Sequence, residues 1–402
     1  MSRPSPSLRE WWIAVGVSAA IVALTSLPYL YGFASEPSGY HFTGLLINPY
    51  DGNSYLAKME IGRRGGWLFH LPFTAEPGTG VPLYFLYIFL GHAAAWVGAP
   101  SILIFHMARA LAGLVLLLTL FAFVARFFEM PGARWAAWLV IALGSGFGWL
   151  AVPFGGFTSD LWVAEAIVFL SIFANPHFPL SIALTLALYL LLIPGFGPPR
   201  INWRQALGIV LAATATAHLQ PFASVTIGGV TAVTYAAHYY LKRDAVKRDH
   251  VARFVVFALA SLPWLIYDFW LSQTHPQLKV WSAQNQTPSP PAWDYLITFG
   301  LPLLLAIPGA WHAFRRRTET DVFLLAWLVT NAILLYAPFA LQRRLSLGLS
   351  IPIGVLAAQG LVFGIVPWVE GRAASRAYQA LLRIVRAPGT LRIGLFVAMC
   401  LP

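Results

Sequence analysis

The chain has 402 residues, of which 58% are hydrophobic and only 10% are charged, and its formal net charge is +11. A soluble globular domain carries about 25% charged residues, so this composition excludes that class and indicates a polytopic membrane protein. The basic residues cap apolar stretches and form no single patch, which argues against a nucleic-acid partner and for the lipid bilayer, and the single Cys400 excludes an intrachain disulfide.

Ten apolar runs are long enough to cross the roughly 30 Å of a bilayer core as helices. In chain order they cover residues 11–32, 101–126, 134–153, 178–196, 205–220, 222–241, 253–271, 296–314, 322–339 and 348–368. The sequence therefore predicts an all-α, polytopic transmembrane helix bundle of 10–11 spans, with residues 1–402 forming a single module.

The basic residues set the predicted orientation. With the N-terminus in the cytoplasm, most of the 26 Lys and Arg residues fall in cytoplasmic segments. Residues 33–81 then form the first outer loop, and residues 272–295 form a later one. This orientation requires residues 82–98 to be an interfacial or re-entrant helix, and residues 160–174 are likewise expected to dip back along the outer face.

The extreme C-terminus begins a further apolar segment, LRIGLFVAMCLP, which starts at Leu391. This segment is shorter than the stretch of about 20 residues that a spanning helix needs. The sequence thus indicates that a C-terminal portion is missing.

Asp51 is the main catalytic candidate. It follows a Pro-Tyr turn in the first outer loop and precedes a helical-looking stretch, with Tyr55 four residues later. A partly desolvated carboxylate at the membrane interface can accept a proton from a hydroxyl, or it can hold a divalent metal beside a phosphate. The alternative is that Asp51 only caps a helix that begins near Gly52.

Three of the arginines predicted on the outer side are candidate site residues. Arg343 and Arg344 are candidates for a lipid-phosphate clamp, because a guanidinium binds phosphate oxygens bidentately; the alternative is that they snorkel to headgroups. Arg109 lies inside the outer end of its span and should face protein or a wet cavity, with an ion pair to Asp51 or Glu60 as the alternative.

Two histidines adjoin prolines where helices should break at the outer face. His177 lies in FANPHFPL and His218 in ATAHLQPF, and such breaks expose polar groups in transporters and transferases. Capping or loop hydrogen bonding is the alternative. Most histidines are predicted on the outer side, which raises a metal hypothesis, but no recognised ligand spacing such as H-x-x-x-H supports it.

The order of these features resembles the GT-C superfamily of membrane glycosyltransferases over most of residues 11–368. The resemblance rests on Asp51 in the first outer loop, the segment PLYFLYIFLG, the span that contains Arg109, and the late stretch APFALQRRLSLGLSIPIGVLAA. It implies a polyprenyl-phosphate-linked sugar donor and an essential acid at Asp51. Asp160 and Glu165, in TSDLWVAEA, are roughly placed like the second acidic loop of that superfamily, which leaves the metal requirement open, with Mg or Mn as the candidate ion.

The leading hypothesis is a multi-pass plasma-membrane glycosyltransferase. It would transfer a sugar from a polyprenyl-phosphate-linked donor to a glycan, lipid or protein acceptor at the extracytoplasmic face. Asp51 would activate the acceptor hydroxyl, Arg343 with Arg344 would hold the phosphate, and Asp160 or Glu165 would position a metal or the acceptor. The remaining expected substrate-binding residues are Arg109, Tyr55, His177 and His218.

Two alternatives stay open. The chain could be a non-catalytic transporter or flippase of lipid-linked saccharide or another solute, or an inactive scaffold of the same architecture. A transporter needs ionisable groups near the midplane of the membrane, whereas the charges here lie at the ends of the predicted spans. This placement favours the transferase.

Overall fold

The protein is built almost entirely of helices. The computed structural model describes residues 5–76, 78–196, 200–241, 246–370 and the two positions 397 and 400. Across those residues the backbone forms no strand, and its one β pairing is an isolated antiparallel bridge between Phe69 and Val81. The all-α fold class predicted from the sequence is confirmed.

The described residues form helices that we number in chain order. These are α1 (Leu8–Ala34), α2 (Pro49–Arg63), α3 (Phe85–Val97), α4 (Ser101–Val124), α5 (Pro131–Leu143), α6 (Gly148–Ala151), α7 (Val168–Ala174), α8 (His177–Leu192), α9 (Trp203–Leu219), α10 (Pro221–Leu241), α11 (Arg248–Thr274), α12 (Pro276–Gln284), α13 (Ala292–Arg316), α14 (Glu319–Leu334), α15 (Ser350–Gln359) and α16 (Val366–Glu370). Short 3₁₀ segments occupy Val152–Phe154, Ser159–Leu161 and Gln342–Ser346, and a π-helical turn occupies Gly360–Ile365.

Six stretches of the described chain are long and apolar enough to cross a membrane. They are Leu8–Ala34, Ser101–Val124, Pro131–Phe154, Arg248–Thr274, Ala292–Arg316 and Gln342–Trp368. Each overlaps one of the ten predicted spans. The protein is therefore a multi-pass integral membrane protein.

The other four predicted spans are also helices, namely α8, α9, α10 and α14. Helices α8, α9 and α14 have 16, 17 and 16 residues. All three fall below the length of about 20 residues that a spanning helix needs, and α9 ends at Gln220 before Pro221. Helix α10 has 21 residues, but its Thr, Gly and Tyr residues lower its hydropathy. By length and composition the described residues thus hold six spans, where ten were predicted.

The segments predicted to stay at the membrane surface form short helices. Helix α3 covers 13 residues of the predicted interfacial segment 82–98, and residues 160–174 form only the end of a 3₁₀ turn and the seven-residue α7. None of these is long enough to cross about 30 Å. Nearly all of the segment from Leu391 lies outside the described residues. So do seven basic residues that the predicted orientation places in the cytoplasm, namely Lys242, Arg243, Arg372, Arg376, Arg383, Arg386 and Arg392.

Two glycines bring α2 and α3 into backbone contact. A Cβ on Gly62 would meet the carbonyl oxygen of Ile88, and a Cβ on Gly91 would meet the carbonyl oxygen of Met59. Because only glycine allows this approach, the two short helices pack as one unit. Met59 and neighbouring apolar residues bury this unit against Phe105 of α4, which fixes α2 on the bundle.

Candidate functional site

Asp51 lies in the first turn of α2 with an exposed side chain. The helix begins at Pro49, and the preceding residue, Asn48, has a left-handed backbone with φ 46°. The Asn48 Nδ2 donates to Asp51 Oδ2 at 2.5 Å. The N-cap is therefore Asn48, and the alternative that Asp51 caps a helix beginning near Gly52 is wrong.

Lys58 lies one helical turn beyond Ser54, buried at 4% exposure among aromatic rings. Its Nζ donates to Ser54 Oγ at 2.7 Å and lies 4.2 Å from the ring centroid of Tyr84 and 4.7 Å from that of Tyr55. Burial lowers the pKa of Lys58 to about 8, with Asp51 opposing the shift and Arg344 adding to it. Among the described residues no carboxylate forms a salt bridge with this ammonium.

Lys58 was not singled out from the sequence, where it is one of several basic residues predicted on the outer side. The spacing of residues 51, 55 and 58 places Asp51, Tyr55 and Lys58 on one face of a helix, and this signal was present in the sequence. What the sequence does not show is the burial of Lys58, since that depends on Tyr84 and Phe69 arriving from beyond the end of α2.

Tyr55 connects α2 to His177. Its ring stacks on Tyr87 with a centroid distance of 4.3 Å and an interplanar angle of 11°, and it lies 5.0 Å from the His177 ring. The hydroxyl of Tyr87 and Nδ1 of His177 are hydrogen-bonded at 2.6 Å. Burial raises the pKa of Tyr55, Asp51 raises it further, and Arg344 opposes them. The structure thus brings the predicted residues Tyr55 and His177 together beside Asp51.

Arg344 faces this same cluster from the far end of the chain. Its guanidinium carbon lies 5.7 Å from the Phe222 ring centroid, and its buried Nε has no hydrogen-bond partner. Its positive charge acts on Tyr55, Lys58 and Tyr84. No described carboxylate forms a salt bridge with Arg344. Lys58 is therefore a buried cation and Arg344 a partly buried one, and neither has an anionic partner among the described residues.

Arg343 is held differently, by loop contacts and by Glu165. Its backbone N–H donates to the carbonyl of Thr287 at 3.1 Å, and its side chain lies over Trp162 at 4.5 Å. The Arg343 Nε is 3.8 Å from Glu165 Oε1, and Glu165 is buried. The carbonyl of Glu165 accepts from Gly348 N at 2.9 Å, so backbone pairing fixes the two segments together.

Asp160 stabilises a loop. Its Oδ1 accepts from Thr158 Oγ1 at 2.6 Å, and its Oδ2 accepts from Gly148 N at 3.0 Å and from Ser145 Oγ at 3.3 Å. These neutral donors occupy both carboxylate oxygens. Of the two acids predicted to resemble a second acidic loop, Glu165 is thus the one beside an arginine of the candidate site.

Arg109 is buried between α1, α4 and α7. Its Nη1 donates to the carbonyl of Ile172 at 2.9 Å and its Nη2 to Ser26 Oγ at 2.9 Å, while its Nε donates to His106 at 3.2 Å. It faces protein, as predicted, and its partners are neutral, so the alternative of an ion pair with Asp51 or Glu60 is wrong. His106 in turn is hydrogen-bonded to the carbonyl of Gly44 at 2.9 Å, which ties the segment before α2 to the bundle.

His218 lies at the end of α9 against aromatic rings. Its ring centroid is 4.1 Å from that of Trp264 and 5.0 Å from that of Phe85, the first residue of α3. Phe85 follows Tyr84 directly, so His218 borders the cluster around Lys58 without contacting Asp51.

The described side chains do not converge on a metal ion. Nowhere in the described part of the chain do three His, Cys, Asp or Glu residues form a group that could hold one. Asp160 already accepts three hydrogen bonds, and Glu165 lies beside Arg343. The candidate Mg or Mn site therefore has no ligand set here, and we derive no step through a metal.

Comparison with solved structures identifies the fold. The archaeal oligosaccharyltransferase AglB from Archaeoglobus fulgidus, in complex with an inhibitory peptide and a dolichol-phosphate, matches with a TM-score of 0.52 and 14% identity, over 95% of this chain and 56% of that chain. ArnT from Cupriavidus metallidurans in the apo state matches with a TM-score of 0.51 and 15% identity, over 96% of this chain and 71% of that chain.

This chain thus spans a little over half the length of AglB. Neither a sequence-family model nor a curated protein matches it. At 14–15% identity these likenesses show the architecture, which is the one that the sequence resemblance implied. The protein has the same fold as AglB and ArnT.

Proposed function

We propose that this protein is a membrane glycosyltransferase that transfers a sugar from a polyprenyl-phosphate-linked donor to an acceptor hydroxyl. The observation that carries the proposal is the position of Asp51, an exposed carboxylate whose charge acts on the same residues as Lys58 and Arg344, two cations that have no salt-bridge partner among the described residues. A base beside an anion-binding group is what this displacement needs, because a proton leaves the acceptor while negative charge grows on the phosphate.

In the proposed reaction Asp51 accepts the proton of the acceptor hydroxyl. The acceptor oxygen forms a bond to the anomeric carbon of the donor sugar, and the bond from that carbon to the phosphate oxygen breaks. The bonding pair stays on the phosphate, so the products are the glycosylated acceptor, polyprenyl phosphate and a protonated Asp51. Attack opposite the leaving phosphate inverts the configuration at the anomeric carbon.

The phosphate is bound by three cations of different strength, Arg344, Lys58 and Arg343. Arg344 and Lys58 have no salt-bridge partner among the described residues, so an incoming phosphate compensates the cost of burying Lys58 fully and Arg344 in part. Arg343 is partly neutralised by Glu165 at 3.8 Å, which makes it the weaker ligand. Tyr55 stacks on Tyr87, and Tyr87 is hydrogen-bonded to His177, so these contacts hold α2 in place beside Asp51.

The fold supports this assignment of the donor class. AglB shares the fold and is described in complex with a dolichol-phosphate, which is a polyprenyl phosphate.

The test is transfer of labelled sugar from a panel of polyprenyl-phosphate donors by the purified full chain in lipid nanodiscs. Asp51→Asn should reduce the turnover number by at least about 100-fold, the lower end of what a general base contributes, without weakening donor binding. The matched control is Glu60→Gln, which changes a carboxylate on the same helix that pairs with Arg64. Equal turnover in Asp51→Asn and wild type would refute the proposal.

Binding of the donor without turnover by the wild-type chain would instead support a transporter or an inactive scaffold. Movement of lipid-linked saccharide across liposomes by the wild-type chain, unchanged in Asp51→Asn, would identify the transporter. The two measurements therefore separate the three readings of the fold.

We further propose that the N-terminus is cytoplasmic and that the site opens at the extracytoplasmic face of the plasma membrane. The support is the concentration of Lys and Arg in the segments predicted to lie opposite the site. In a Cys400→Ser background, a membrane-impermeant thiol reagent on intact cells should label Arg64→Cys and not Arg317→Cys. The reverse labelling would show the opposite orientation.

A further inference from the structure

One face of α11 carries a carboxylate that the proposed mechanism does not use. Trp264, Tyr267 and Asp268 are three and four residues apart, so they lie on the same side of the helix. The Trp264 ring lies 4.1 Å from His218 and 6.4 Å from the Tyr267 ring. We call these three residues of α11 the α11 wall.

The α11 wall meets the candidate site at Tyr84. Tyr84 and Tyr267 both pack against the buried cluster that contains Phe69 and Leu271. Tyr84 has a left-handed backbone with φ 57°, a conformation that costs free energy in a residue with a bulky side chain and that recurs at ligand sites. This strained backbone places the Tyr84 ring 4.2 Å from Lys58 Nζ.

Three charges converge on Tyr84. Burial raises the pKa of the Tyr84 hydroxyl, Arg344 lowers it, and Asp268 and then Asp51 raise it. Asp268 therefore lies on the same side of the bundle as Asp51 and Arg344, close enough to act on the ring that covers Lys58.

Asp268 has no hydrogen bond and no salt bridge within the described residues, although its side chain is half-buried. The cations of its own helix, Arg248 and Arg253, are 15 residues or more away, which is about 22 Å along the axis. A half-buried carboxylate is costly unless donors reach it. A ligand that supplies hydroxyl donors would meet that need.

We infer that Asp268 binds hydroxyls of the donor sugar, with Tyr84 and the aromatic residues of the α11 wall packing against the apolar face of the sugar ring. This inference rests on the proposed function. The sugar is covalently joined to the phosphate, so the group that lies next to a phosphate held by Lys58 and Arg344 is the sugar. Sugar hydroxyls donate, a carboxylate only accepts, and aromatic rings suit the C–H face of a sugar. Asp268 is then the residue that selects the sugar.

The test compares the binding of sugar-loaded and sugar-free polyprenyl phosphate to the full chain in nanodiscs. Asp268→Asn should lower the affinity for the sugar-loaded lipid by about tenfold or more, since a hydrogen bond to a charged group is lost. The affinity for the sugar-free lipid should stay within about twofold of the wild-type value. Asp268→Glu, which moves the carboxylate by one methylene, should give a smaller loss that is also confined to the sugar-loaded lipid. Gln273→Ala, an exposed position of α11, is the control.

If Asp268→Asn lowers the affinities for both lipids equally, or lowers neither, the inference is overturned. A wild-type chain that binds sugar-loaded lipid no better than Asp268→Asn would do the same. Turnover is recorded separately in the same preparations. If the wild type binds the donor but transfers nothing, the proposed function fails, while the ratio of the two affinities still decides the role of Asp268.

Discussion

Removing the charge of Lys58 should make lipid-phosphate binding insensitive to pH. The pKa of Lys58 falls from 10.5 to about 8 because the ammonium is buried, and Arg344 adds to the shift. A folded-state pKa below the unfolded one means that folding releases a proton. The charged form then costs the folded protein about 3 kcal/mol below pH 8, and this cost disappears as the pH rises toward 10.5.

A bound phosphate reverses this balance because it favours the charged ammonium. The protonated fraction of Lys58 is about 90% at pH 7 and about 3% at pH 9.5, so the affinity for polyprenyl phosphate should fall by up to about 30-fold between those values. Lys58→Met should bind the lipid weakly at pH 7 and show a much flatter pH profile. The same variant without lipid should unfold at a higher temperature than wild type at pH 7, because Met fills the aromatic site without a buried charge.

The assay is equilibrium binding of polyprenyl phosphate in nanodiscs from pH 7 to pH 9.5, with thermal unfolding of each sample. Arg315→Met is the control, since this exposed arginine lies at the end of α13 beside Trp311. An identical pH slope in wild type and Lys58→Met would refute the assignment of the titration to Lys58.

Three further predictions follow from contacts around the site. Gly91→Ala should destabilise the protein by about 1–3 kcal/mol through overpacking against α2 and should lower transfer activity, while Gly16→Ala, which meets nothing within 4 Å, should not; thermal unfolding and the transfer assay decide. Arg343→Ala should weaken binding of polyprenyl phosphate and Glu165→Gln should strengthen it, so that losses in both variants would show a purely structural pair. Arg109→Lys should lower the unfolding temperature, since a single ammonium cannot reach Ser26, Ile172 and His106 together, and should leave the lipid affinity unchanged.

The sequence was sufficient for the fold class. Apolar runs locate helices well because a spanning helix requires about 20 apolar residues in succession. The six long spans fall where the runs predicted. The four remaining runs end at prolines or contain polar residues, and hydropathy alone does not place those ends. Asp51 was singled out as an acid of the first outer loop and Arg344 as a cation on the outer side, and their roles stay predictions.

The surroundings of a side chain in the fold distinguish candidate site residues that look alike in the sequence. Asp160 and Glu165 are five residues apart and look alike in the sequence, yet Asp160 accepts three neutral hydrogen bonds while Glu165 faces Arg343. Lys58 and Asp268 were not singled out from the sequence. Their environments come from Tyr84, Phe69 and the end of α9, which the chain brings together from distant positions.

The partners of the outer cations distinguish structural cations from cations poised for a ligand. Arg109 donates to the neutral oxygen and nitrogen atoms of three helices, so its charge is used within the protein. Arg343 has a carboxylate at 3.8 Å, and Arg344 and Lys58 have none among the described residues. A cation taken out of water without an anion is costly, and the protein keeps the buried Lys58 and the partly buried Arg344 near an exposed carboxylate. An anionic ligand that also brings a hydroxyl to Asp51 accounts for all three, which is why the phosphate of a glycosyl donor is the ligand that we expect there.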